Sequence, residues 1–141
     1  MRKLVLLILV SVLAGCARRN QPYGVLNHLE KAEQAYQAGD FDSAAENYQA
    51  LLEAHPGYSY AHFKLGNILL RQNNAEQAVH HYESAIQNYP RDPRYWTNLA
   101  LARLKLTHLT LAQAIDTFKD KPEQVAELIT LEAQLAGLQE Q

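Results

Sequence analysis

Six histidines and a single cysteine are the side chains of this 141-residue chain best suited to ligate a metal or to attack a substrate. Ligation needs several such groups to converge, and along a helix that means a spacing of three or four residues. No i,i+4 pair exists among His28, His55, His62, His80, His81 and His108. His80 and His81 are adjacent and so point to different helix faces. His55 falls in a turn, and His108 starts a later helix. His28 and His62 hold the position that Trp96 fills further along the chain, a packing site within a helix pair. One cysteine excludes an intramolecular disulfide and any multi-cysteine metal site. The sequence has no Gly-x-Ser-x-Gly elbow, no phosphate-cradling glycine loop and no His-Glu-x-x-His, and no carboxylate pair is singled out. No catalytic residue, metal site or cofactor is expected.

Composition narrows the class further. Hydrophobic residues make up 48% of the chain, enough for a core, and charged residues 20%, too few for a disordered chain. A formal net charge of -2 with no basic run leaves no electrostatic footprint for nucleic acid. The length suits one domain.

The position of the cysteine matters more than its number. Arg2 and Lys3 precede an apolar run from Leu4 to Ala14, the n-region and h-region of a secretory signal. That run is about half of the ~20 residues a membrane-spanning helix requires. It ends Leu13-Ala14-Gly15-Cys16, which resembles the lipobox of bacterial lipoproteins. The resemblance implies cleavage before Cys16, with diacylglycerol on its sulfur and a fatty acid on the new amino group. Several acyl chains anchor stably where one would bind only marginally. Ala17, not aspartate, follows the cysteine, and in lipoproteins of enteric-type bacteria that implies the outer membrane, facing the periplasm. Removing residues 1–15 takes away Arg2 and Lys3 and leaves a mature charge of -4. Residues 16–24 read as the lipidated cysteine and a short tether. Arg18 and Arg19 within it suit either anionic headgroups or plain solvation.

The remainder is organised by repetition. Ala44, Tyr48, Leu52 and Pro56 recur 34 residues later as Ala78, Tyr82, Ile86 and Pro90. A period of about 34 residues with small, aromatic and proline positions in this order marks a helix-turn-helix solenoid. The pattern resembles the tetratricopeptide repeat (TPR) family, so the expected fold is all-α, a short TPR solenoid. Repeat one spans 25–58, with a helix from Val25 to Ala38, a turn at Gly39-Asp40 and a second helix to Ala54. Repeat two spans 59–92, with helices from Tyr58 to Gln72 and on to Asn88 about a turn at Asn73-Asn74. Ala32, Ala44, Gly66 and Ala78 are small where helices cross. Tyr48 and Tyr82 fill space between repeats, Phe41 packs near the first turn, and Pro56 and Pro90 stop the second helices.

A third repeat, 93–121, starts well with Trp96, Leu99, Ala100 and Leu104, then degenerates. Ala112 keeps the small position, but Asp116 replaces the tyrosine and Gln124 the proline. A last helix over 122–141 carries Val125, Leu128, Leu131, Leu135 and Leu138 on one stripe, with Glu127, Gln134 and Glu140 elsewhere. This suits a solenoid cap with a polar outer face. The same leucine spacing over 122–138 also suits self-association.

In TPR proteins the first helices line a groove that receives an extended peptide or partner helix. Carried over, the groove comprises Tyr36 from repeat one, with Leu26, Leu29, Glu30, Glu33 and Gln37. Repeat two gives Tyr60, Phe63, Lys64, Asn67 and Arg71, with Leu70. Repeat three gives Arg94, Asn98, Leu101 and Lys105, with Thr97 and Leu104. Tyr36, Tyr60 and Phe63 are anchor types, and Lys64, Arg71, Arg94 and Lys105 favour an acidic or carboxylate-bearing segment. Core aromatics and solvated charges are the competing reading. The lysine–asparagine–arginine clamp of chaperone-binding TPRs is incomplete, since Phe63 replaces its first lysine. The resemblances together imply a non-catalytic, membrane-anchored adaptor or scaffold for protein partners in a bacterial envelope assembly. A pilotin-like chaperone for a pilus or secretion component is the alternative.

Overall fold

The computed structural model describes residues 22–137. Among these residues stand six α-helices and no strand: α1 Pro22–Ala38, α2 Phe41–Ala54, α3 Ser59–Arg71, α4 Ala75–Asn88, α5 Pro93–Thr117 and α6 Pro122–Gly137. They fall into two compact units that divide between Pro56 and Gly57. The expected signal segment, Cys16 and residues 17–21 lie outside the described residues, as do Leu138 and Glu140.

The first unit is the hairpin of α1 and α2. The helix begins at Pro22, three residues before the expected Val25, so the end of the anticipated tether is helical. Proline is well suited to a first helical position, where its missing N–H has no intrahelical partner to lose. The turn is built by chemistry legible at Gly39-Asp40. Gly39 takes φ 79, and the Asp40 N–H reaches back to the Ala35 carbonyl at 2.9 Å while the Gly39 N–H reaches Tyr36 at 3.2 Å. This is the paired closure of a Schellman motif. Asp40 then caps α2 by accepting from the Ser43 N–H at 3.1 Å, and hydrogen bonding from the Ser43 side chain and N–H holds its carboxyl below the usual range. Ala32, Ala44 and Tyr48 are fully buried, and the Tyr48 hydroxyl donates to the Glu33 carboxylate.

The second unit repeats that device and extends it. Asn73 takes φ 63, the Asn74 N–H bonds the Leu69 carbonyl at 2.8 Å, and the Asn74 side chain caps α4 through the Gln77 N–H at 3.2 Å. Both second helices stop as the prolines require. His55 before Pro56 and Tyr89 before Pro90 have left the helical region, at φ -138 and φ -149. α3 packs on α4, α4 on α5 and α5 on α6, and α3 also meets α5. Phe63, Ala78, Tyr82, Ala85, Tyr95, Leu99 and Ala102 form the core of this unit.

The third repeat departs from expectation. No turn interrupts it: Pro93–Thr117 is one helix of 25 residues, and His108 lies inside it. The reason lies one period beyond Gly39-Asp40 and Asn73-Asn74, where the chain reads Thr107-His108. A β-branched residue strongly disfavours the left-handed closure, and histidine is a poor N-cap beside aspartate or asparagine. Thr107 instead donates its hydroxyl to the Arg103 carbonyl at 3.0 Å, as a mid-helix threonine does. Against this long helix lies α6, with Val125, Leu128 and Leu135 half-buried and Glu127 and Gln134 exposed. Leu131, expected on the buried stripe, is 45% exposed.

Repeats one and two differ in one coupled detail. A Cβ built on Gly66 would stand 2.6 Å from Cε1 of Tyr82, a fully buried ring. Repeat one has Ala32 at that position, and its tyrosine reaches the longer Glu33 where Tyr82 reaches Asn67. Gly66→Ala should therefore lower stability by about 1–3 kcal/mol in denaturant unfolding, despite the gain of roughly 1 kcal/mol in helix propensity. Adding Asn67→Glu should recover part of the loss. Separately, Asn73→Thr should cost about 1–2 kcal/mol where Asn73→Gly is tolerated. Equal midpoints for those two variants would remove the turn explanation.

Candidate functional site

Helix α3 places Tyr60, Phe63, Lys64, Asn67 and Arg71 at spacings of three and four residues, so they share one face. Helix α5 does the same with Arg94, Asn98, Leu101 and Lys105. The structure brings these two rows together through three links. At one end the Arg94 guanidinium lies over the Phe63 ring, 5.4 Å from its centroid. In the middle the Asn98 amide donates to Asn67 Oδ1 at 2.7 Å. At the other end the Lys105 ammonium donates to Asn73 Oδ1 in the turn after α3, at 2.6 Å. The groove positions expected from repeats two and three thus lie on α3 and α5 of the second unit. Tyr36 belongs to the first unit, where its ring packs edge-on against Phe41 at 5.5 Å and Tyr48 at 6.5 Å.

Burial sorts these residues by what they can offer a partner. Phe63 is only 7% exposed and sits among Tyr60, Tyr82 and Tyr95, with centroids at 6.5, 6.2 and 5.0 Å. Its ring is spent on the core, which is the competing reading for that aromatic. Tyr60 is half-buried beneath the Lys64 ammonium, which lies 5.3 Å from its ring centroid. Leu101 is 53% exposed, and Arg71 is exposed. The face is less basic than its residue list reads. Arg94 is locked onto Asp92 by Nε and by a 2.6 Å terminal contact. Hydrogen bonding to the guanidinium holds the Asp92 carboxyl below its ordinary range and raises Arg94 above its own.

Two features cross between helices and so follow no i,i+4 spacing in the sequence. Asn67 Oδ1 accepts from the Tyr82 hydroxyl at 2.9 Å as well as from Asn98, so one atom joins α3, α4 and α5. The signal was available in the repeat itself, since Tyr48 and Glu33 are separated as Tyr82 and Asn67 are. Likewise His62 meets His81 as His28 meets Asn47, both across 19 residues of chain. Among the described residues no group of three or more His, Cys, Asp or Glu side chains is placed to hold a metal. Among them, too, no helix is long and apolar enough to cross a membrane.

Helix hairpins repeating every 34 residues, with α3 and α5 side by side, define a helical-repeat solenoid, a class whose stacked surfaces receive other proteins. Residues 29–93 and residues 63–120 each match the model of the tetratricopeptide repeat, and the chain belongs to that family. Among solved structures it is similar to the TPR2B domain of yeast Sti1 in complex with pHsp70, at 15% identity and a TM-score of 0.57. That likeness covers 82% of this chain and 93% of the other and shows the fold. Comparison with curated protein sequences returned no match.

The asparagine junction makes a direct prediction. Asn67→Leu strands the Tyr82 hydroxyl and the Asn98 amide, and should cost about 1–3 kcal/mol in equilibrium unfolding. With Tyr82→Phe already present the same substitution should cost clearly less, and strictly additive losses would show that the bond carries no weight.

Proposed function

We propose that this protein is a lipid-anchored adaptor that holds a protein partner on the face shared by α3 and α5, without catalysis of its own. The observation that carries the reading is that this face is braced from within by the Asn67 junction while Leu101 and Arg71 remain outward. A braced surface is already ordered, so a partner meets little entropic cost in docking there. The Sti1 neighbour is found with pHsp70, which supports a protein as the kind of ligand. Lys64, Arg71 and Lys105 favour an acidic or extended segment, with Arg94 contributing less because of Asp92.

The anchor rests on Leu13-Ala14-Gly15-Cys16. Acylation of Cys16 would tether the solenoid to the outer membrane at its periplasmic side and confine it to partners of an envelope assembly. Cap and self-association readings of α6 also separate here, because exposed Ile129 and Leu131 would be covered in a dimer.

Two substitutions divide the proposal. Cys16→Ser should abolish incorporation of labelled palmitate and move the protein out of the membrane fraction; retention of both would end the anchor reading. Arg71→Glu with Leu101→Glu should abolish stoichiometric partner capture from solubilised envelopes while circular dichroism stays unchanged. Undiminished capture would move the functional surface elsewhere. If loss of the gene leaves a single outer-membrane channel unassembled, the pilotin-like role replaces the adaptor role.

A further inference from the structure

The two halves of repeat two are joined by a contact that repeat one makes differently. In repeat one, His28 Nδ1 lies 3.2 Å from Asn47 Oδ1. At the equivalent positions, His62 Nδ1 of α3 lies 3.1 Å from His81 Nδ1 of α4. The His62 and His81 ring centroids are 5.3 Å apart, which exceeds the nitrogen separation by close to two full ring radii, the largest excess that any orientation allows. The nitrogens therefore face each other head-on. A 3.1 Å separation with the two nitrogens aimed at each other suits one N–H···N hydrogen bond.

We propose that the His62–His81 contact is an acid-sensitive latch that joins α3 to α4 at neutral pH and releases them when both rings are charged. Proton counting gives the mechanism. At neutral pH one ring carries its proton on Nδ1 and donates it to the bare Nδ1 of the other. A first added proton takes the remaining nitrogen of the donor ring, which leaves the bond in place as a charge-assisted one. The second must take the accepting Nδ1. Two N–H groups and two like charges then oppose each other, and the contact opens. The repeat-one pair has no such limit, because a protonated His28 still donates to Asn47 Oδ1.

The surroundings favour release. Burial lowers the His81 pKa first, and the charges of His62 and His80 lower it further. On α3 the cations are Lys64, set over Tyr60, and Arg71; α5 sends Arg103 to α4, where it pairs with Glu83 at 2.7 Å. A base whose pKa is depressed by folding is charged more readily in the unfolded chain. Its contribution is complete above the ordinary value of 6.5 and is lost as pH falls below that value through the depressed one. Because α3 also carries Tyr60, Lys64 and Arg71, acid would loosen one wall of the face described above.

The test is unfolding of the full chain between about pH 7.5 and about pH 5, with the ring signals followed by NMR. In the wild type His62 and His81 should titrate together, in two coupled steps. His81→Asn, which rebuilds the repeat-one pair, should lose less stability across that range than wild type, whereas His80→Asn, which removes only the smallest of the causes that depress His81, should lose more than His81→Asn does. His62→Asn should move the His81 midpoint upward. Independent one-step titrations, an unmoved His81 midpoint in His62→Asn, or equal acid sensitivity of His81→Asn and wild type would each overturn the latch.

Discussion

The second unit depends on one ring being allowed to come close. Tyr82 is fully buried, and its edge occupies the space in which any side chain at position 66 would begin. Glycine at that point lets α3 and α4 approach until the phenol reaches Asn67, and Asn67 in turn holds Asn98 of α5. Phe63, Tyr95 and Leu99 then close around the ring. A backbone choice on one helix thus sets the spacing of three. The hydroxyl adds direction to packing that would otherwise tolerate a slide, because a buried phenol without an acceptor is costly.

Much of this was legible because the chain repeats its instructions. The left-handed turn residues Gly39 and Asn73, the caps Asp40 and Asn74 and the stops Pro56 and Pro90 act locally, through backbone dihedrals and orphan N–H groups. Such signals survive translation into structure. The same logic, carried one period further to Thr107-His108, explains why α5 runs on unbroken; the small residue Ala112 suggested a second helix, but no residue there could make the bend. Side-chain pairing between helices was harder to see. His62 and His81 lie 19 residues apart, a separation with no meaning within one helix. Its meaning appears only when repeat one is laid over repeat two.

The candidate face shows how far a family's groove positions can be carried. Spacing put the positions of repeats two and three on two helices of one unit, because helical period alone decides which residues align. It could not say which of them would be consumed. Phe63 is drawn inward by three neighbouring aromatics, Arg94 is occupied by Asp92, and Lys105 reaches the turn after α3. Those outcomes depend on what stands opposite, which a single helix does not record.

The length of α5 has a consequence for how the molecule comes apart. At about 1.5 Å per residue its 25 residues run roughly 37 Å, against about 21 Å for the 14 of α4. Tyr95, Leu99 and Ala102 are buried in its first half, but Leu111 alone in its second, and α6 buries no side chain fully. Amide protons should therefore report two regimes of protection along a single helix. The distal half of α5 and α6 can open and reclose as one small cooperative element while the aromatic core stays shut. That distal element is thermodynamically a hinged flap, although its backbone is as regular as the rest.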